Sequence, residues 1–175
     1  MSLACVAVAT PACAGDGTSA TATGSAAASI VQPITVRALD DLLFGTLAIG
    51  PDASGAISVD PESGSVAFLG ALRSVCGTGG CQAHPAIFGV TGQPGRRYRI
   101  DAPASAMASQ VDGIGPALPV VDIRVSANSL PGSPNIGLLD SNGEDRFRLG
   151  GTLQVPAGSA AGFYRADVEV VVTYD

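Results

Sequence analysis

Gly162-Phe163-Tyr164-Arg165-Ala166-Asp167-Val168-Glu169-Val170-Val171-Val172-Thr173-Tyr174-Asp175 ends the chain. Successive side chains of a strand point to opposite faces, so Tyr164, Ala166, Val168, Val170, Val172 and Tyr174 form one apolar row. Arg165, Asp167, Glu169 and Thr173 point the other way. The alternation predicts a half-buried strand in one register. A slip of one residue would carry Asp167 and Glu169 inward and put the apolar row in water, so the pairing partner must match this phase.

Working back from that strand, short runs of the same kind recur between turn residues. Phe147, Leu149, Leu153 and Val155 share a face across Gly150-Gly151, which marks a bulge. Val121, Ile123, Val125 and Ala127 alternate with Asp122, Arg124 and Ser126. Residues 86–90 and 98–102, the latter alternating cleanly with Tyr98, Ile100 and Ala102 on one face, flank the turn Gly92-Gln93-Pro94-Gly95 and read as a hairpin. Residues 57–59 and 66–75 are separated by the turn 60–64, and residues 42–49 are apolar enough to be buried on both sides. Residues 30–36 carry Pro33, which places that strand at an edge or at a break between two short pieces, and a helical turn is expected over 37–41. Residues 104–115 read as loop or one helical turn, and 130–139, with two prolines, as irregular or edge structure. Together these predict an all-β, Greek-key sandwich of about eight or nine short strands over residues 29–175.

Composition agrees with one such domain. The 175 residues include 23 glycines and 12 prolines, and only 14% are charged, which favours turns joining apolar strands over long surface helices. The net charge of −6 argues against a nucleic-acid partner, and the one basic cluster is Arg96-Arg97-Tyr98-Arg99. All nine basic residues are arginine, so Schiff-base chemistry and lysine–asparagine cross-links are excluded. No stretch reaches the roughly 18 apolar residues that span a bilayer.

Residues 1–14 are apolar and end in an Ala-x-Ala pattern at Ala12-Cys13-Ala14. They read as the remnant of a secretory signal peptide, against an ordinary terminal segment. Residues 15–28 are small and polar, an arm that buries too little area to fold alone. Ala20, Ala22, Gly24, Ala26 and Ala28 alternate with Thr21, Thr23 and Ser25. The arm could therefore lie along a sheet edge as a strand or serve only as a tether. Cys76 and Cys81 flank four residues, three of them glycine, and are expected to form a disulfide pinning a hairpin tip. Zinc is the rival, but His84 is the single histidine and four ligands are the norm.

Catalytic patterns are missing. His84 has no nucleophile elbow to serve, the acidic turn 140–145 lacks the spacing of a calcium loop, and no pair of carboxylates stands out. No phosphate loop or dinucleotide fingerprint is present. Neither an enzyme nor a cofactor is expected.

Four strings carry a family resemblance: Ile30-Val31-Gln32-Pro33-Ile34-Thr35-Val36, Leu43-Phe44-Gly45-Thr46, Gly150-Gly151-Thr152-Leu153-Gln154-Val155, and the terminal stretch from Ala161. The chain resembles a proteobacterial secreted domain family of unknown function that is similar to spore coat protein U and to archaic chaperone–usher pilin subunits. Tyr174 and Gly162 match the penultimate tyrosine and upstream glycine of such subunits. The resemblance implies an incomplete immunoglobulin-like sandwich, held by a periplasmic chaperone, passed to an outer-membrane usher, and completed by the arm of another copy or a related subunit. It implies that Gly162, Tyr164, Ala166, Val168, Val170, Val172 and Tyr174 border the accepting groove, and that Ala20, Ala22, Gly24, Ala26 and Ala28 belong to the donor. A secreted, surface-fibre location follows. The alternative is a self-complete secreted adhesion or binding domain.

Overall fold

The computed structural model describes residues 21–75, 82–113 and 115–175. The signal-peptide reading of residues 1–14, the candidate donor position Ala20 and the Cys76–Cys81 pair lie outside them. The chain divides into two units, Met1–Ile30 and Val31–Asp175. Of the first, residues 21–30 form no strand and are exposed.

The second unit is an all-β sandwich without a helix among the described residues. Its strands are β1 (Thr35–Asp40), β2 (Leu47–Ala48), β3 (Gly55–Val59), β4 (Val66–Gly70), β5 (Arg73–Ser74), β6 (Ala86–Thr91), β7 (Arg97–Asp101), β8 (Ala106–Gln110), β9 (Leu118–Ala127), β10 (Ile136–Leu138), β11 (Glu144–Val155), β12 (Tyr164–Arg165) and β13 (Val171–Tyr174). The larger sheet runs β1-β6-β11-β9-β8-β12, with β3 and β4 branching from β11. The smaller runs β10-β7-β13, and β2 pairs with β5. Every pairing is antiparallel.

β11 is the axis of the larger sheet because its length lets it serve two partners on one flank. Glu144–Leu149 pairs with β6, and residues 151–155 pair with β3. The change of partner falls at Gly150, where a Cβ would lie 2.2 Å from the Val59 carbonyl oxygen; the backbones approach too closely there for any side chain. On the other flank Gly150 faces Arg124 and Thr152 faces Val121. The expected bulge is therefore present, but its extra residue sits on β9, where Asp122 adopts a φ of 52°.

The two inner faces meet in one core. Phe147 and Leu149 of β11, Val125 and Ala127 of β9, and Tyr98 and Ile100 of β7 belong to it, and Phe88 stacks on Phe147 at 4.9 Å. Fully burying each large apolar side chain contributes roughly 1.5–3 kcal/mol, so this cluster dominates the stability of the unit.

Several local expectations are corrected. Residues 37–41 hold no helical turn, because β1 continues to Asp40 against β6. Residues 42–49 are not buried on both sides: Leu42, Phe44, Leu47 and Ile49 are half-buried, while Leu43, Gly45, Thr46 and Ala48 are exposed. The run 66–75 is broken at Gly70, whose φ of 69° turns the chain between β4 and β5. Residues 104–115, expected as loop or one helical turn, contain β8, which pairs with β9. Residues 86–90 and 98–102 do not form the expected hairpin, since β6 pairs with β1 and β11 while β7 pairs with β10 and β13 in the other sheet.

Candidate functional site

The terminal stretch keeps its alternation but not a continuous ladder. Tyr164, Ala166, Val168, Val170, Val172 and Tyr174 are half-buried and pack on the core, while Arg165, Asp167, Glu169, Val171 and Thr173 are exposed. Tyr164 and Arg165 pair with Gln110 and Ser109 of β8, and residues 171–174 pair with residues 98–101 of β7. Between these ladders the five residues 166–170 face the seven residues 102–108, and they have no ladder partner among the described residues. The mismatch lies opposite Pro103, which has no N–H to give to a ladder. The single strand expected from the sequence is thus two short strands, one in each sheet, joined by residues 166–170, which lie in no ladder among the described residues.

That segment lies on an open side of the sandwich. β12 ends the larger sheet and β13 ends the smaller one, each paired on one flank only among the described residues. β1, at the opposite end of the larger sheet, approaches β13 without pairing to it. Ile34 and Val36 beside it are half-buried like the terminal row. An edge of this kind presents backbone donors and acceptors alongside apolar side chains.

Tyr174 closes one end of the opening. Its hydroxyl accepts a hydrogen bond from the Gln93 N–H at 2.7 Å and donates one to the Gln32 carbonyl at 2.7 Å. It thereby ties the approach to β1, the β6–β7 turn and β13 together. The Arg96 guanidinium lies 5.3 Å from the centre of its ring, and Arg99 pairs with Asp175 at 3.4 Å. Gly92 leaves the room this needs, since a Cβ there would lie 2.4 Å from the Tyr174 hydroxyl oxygen. Two of the three clustered arginines therefore serve the terminal strand.

Gly162 stands at the other end. A Cβ on it would lie 2.1 Å from Nε2 of Gln110, whose amide donates to the Ala161 carbonyl at 3.0 Å. The Tyr164 hydroxyl donates to the Ala160 carbonyl at 2.8 Å, and the Val111 N–H bonds the Phe163 carbonyl at 2.9 Å. These contacts hold the start of the terminal stretch on β8, leaving residues 166–170 as its unpaired middle.

A polar network inside the sandwich escaped the sequence reading. Tyr98, completely buried, donates to Oδ2 of Asp145 at 2.8 Å. The Ser129 hydroxyl donates to the same oxygen and accepts from the Leu138 N–H at 2.9 Å. Burial, then the hydrogen bond to Asp145 and its negative charge, push the Tyr98 phenol well above its ordinary range. Gly137 permits the arrangement, because a Cβ there would lie 2.2 Å from Cζ of the Tyr98 ring. The alternation of Tyr98 and Ile100 marked the tyrosine as inward-facing. Nothing local pointed to Asp145, 47 residues on.

The remaining sequence candidates fall into ordinary structural roles. Asp140 accepts from the Asn142 and Glu144 N–H groups, both at 2.8 Å, so its carboxylate shapes the acidic turn. These bonds, that from Glu144 foremost, hold its carboxyl below the usual range. Asp60 does the same for the β3–β4 turn, its carboxyl lowered chiefly by the Ser63 N–H and hydroxyl. His84 forms an isolated bridge with Leu43, its Nδ1 3.9 Å from an Asp40 oxygen. An open depression of about 340 Å³ is lined by residues including Gly55, Leu69, Gly70 and Gln154. A polar cleft of about 110 Å³ lies beside Asp60, Asp122 and Arg124. Among the described residues no three His, Cys, Asp or Glu side chains gather as metal ligands would, and no helix is long and apolar enough to cross a membrane. Of the candidate donor positions, Ala22, Gly24, Ala26 and Ala28 are exposed and outside any strand.

Fold and site together define a β-sandwich domain that finishes on an edge segment with one flank unpaired among the described residues. No curated protein matches the chain. The chain belongs to the family described as domain of unknown function DUF4402, whose profile matches residues 34–174.

Proposed function

We propose that the chain is a structural subunit of a bacterial surface fibre or coat, exported through the periplasm and joined to other copies or related subunits by strand complementation. The observation behind this reading is the terminal edge: an apolar row packed on the core whose middle residues, 166–170, have no ladder partner among the described residues. A strand laid along that edge would satisfy exposed backbone groups and cover half-buried apolar side chains in one step. Contacts made head to tail between unlike surfaces propagate as filaments. An unpaired edge of this kind is also a hazard in transit, which gives a periplasmic chaperone and an outer-membrane usher their roles.

A second reading has its own support. Tyr98, Ile100 and Phe147 are already completely buried without an added strand, as expected of a self-complete adhesion or binding domain whose arm is a tether. Deleting residues 15–28 separates the two. Strand complementation requires the deletion variant to stay monomeric at concentrations where the full chain associates. Equal association and equal thermal stability of both proteins would rule out exchange through the arm.

A further inference from the structure

Resting on the strand-complementation reading, we infer that the opening along the terminal edge is selective for a strand whose inward side chains are small, and that its occupant is residues 20–28 of a second copy. A sandwich missing a strand of ordinary size leaves part of its core uncovered. Here Ile100 and Phe147 are fully buried, and the bordering Ile34, Val36, Ala166, Val168, Val170 and Val172 are all half-buried with none exposed. What remains open is backbone more than core, so there is little room for a second layer of large side chains. Forcing methylenes into packed space destabilises it.

The arm has the matching pattern. Residues 20–28 carry small groups at alternate positions, Ala20, Ala22, Gly24, Ala26 and Ala28, with Thr21, Thr23 and Ser25 among the residues between. Residues 166–174 carry five half-buried side chains at the same spacing. Both segments are nine residues long, about 30 Å when extended. Aligned end to end in either direction, Gly24 falls opposite Val170, at the edge of the unpaired stretch. Same-face neighbours on paired strands sit about 5 Å apart, so Gly24 sets the smallest group available against Val170, in the middle of the row. Poor burial by alanine, which makes the arm look like a weak anchor, becomes a requirement of fit; affinity then comes mainly from backbone pairing.

The test uses the full chain and two arm variants, each followed by analytical ultracentrifugation over a range of concentrations. The first, Gly24→Val with Ala22→Val and Ala26→Val, enlarges the inward positions. The second, Thr21→Val with Thr23→Val, enlarges the outward ones and controls for added hydrophobicity. Selectivity for small groups predicts association weakened at least about tenfold by the first variant and unchanged within about twofold by the second. Equal or tighter association of the first variant would overturn the inference while leaving strand exchange standing. A full chain that is monomeric throughout would overturn both. Circular dichroism of each protein checks that the sandwich itself is unaltered.

Discussion

Replacing Tyr174 by phenylalanine isolates the hydroxyl that ties three segments together. The ring remains, and with it the packing against the core and the approach of Arg96. Lost are the hydrogen bonds to the Gln93 N–H and the Gln32 carbonyl. Gln32 is exposed, so water replaces its partner at little cost, whereas Gln93 is half-buried and its N–H is left without an acceptor. An orphaned donor in that setting costs about 1–2 kcal/mol. For a domain of this size that lowers Tm by roughly 3–6 °C. Tyr174→Ala also removes the ring and its burial, for a loss at least about twice as large. Thermal unfolding followed by circular dichroism at one fixed protein concentration measures all three proteins, since association would itself shift Tm. Tyr174→Phe indistinguishable from the parent would show that the hydroxyl does not hold the end of the opening. Tyr174→Phe as damaging as Tyr174→Ala would show that the packing argument is wrong.

Three further outcomes follow from the core and the turns. Burial and Asp145 raise the Tyr98 phenol above its ordinary value of 10.0. The stability this provides is full below pH 10 and lost as pH rises further. The phenolate absorbance difference between the parent and Tyr98→Phe should therefore appear only as the chain unfolds in alkali; its appearance near pH 10 in the folded protein would contradict the network. The lowered carboxyl of Asp60 works in the opposite sense: its contribution is present above the ordinary value of 3.8 and fades as pH falls below it. Asp60→Asn should cost under about 1 kcal/mol at neutral pH, because the group is exposed. The gap to the parent should close in acid, and urea unfolding at several pH values reads both; a gap that persists at pH 2 would refute it. Gly137→Ala drives a methyl into the buried Tyr98 ring and should destabilise by about 1–3 kcal/mol or more. Gly50→Ala, whose Cβ would meet only Ala53 at 3.8 Å, should stay within about 0.5 kcal/mol of the parent. Equal stability of the two variants would count against the packing described around Tyr98.

Periodicity carried the β architecture, because a half-buried strand writes its two faces directly into the sequence. The terminal row and the pair Tyr98 and Ile100 were legible for that reason. Pairing depends on residues far apart and was harder to read. The break at 166–170 lies opposite Pro103 and the longer stretch 102–108 between the β7 and β8 pairings, which the terminal stretch itself does not reveal. The bulge was located through Gly150-Gly151, yet close approach of Val59 explains Gly150, and the extra residue lies on β9. Residues 37–40 of β1 carry no local strand signal and are held by β6, distant in sequence, whereas β8 lacks a clear alternation of its own and is held by the following β9 and, at its end, by β12. Of the candidate site, the residues of the edge are legible from their alternation; the clamp at Tyr174 and the buried partners of Tyr98 depend on contacts between distant segments.

Hydrogen exchange at the amides of residues 166–170 tests the open edge most directly. The account predicts rapid exchange in dilute monomer, where no neighbouring strand covers these groups, and strong protection once the chain associates. Protection that is equally strong in the monomer would mean that the edge is already covered by its own chain, and the subunit reading would have to be abandoned.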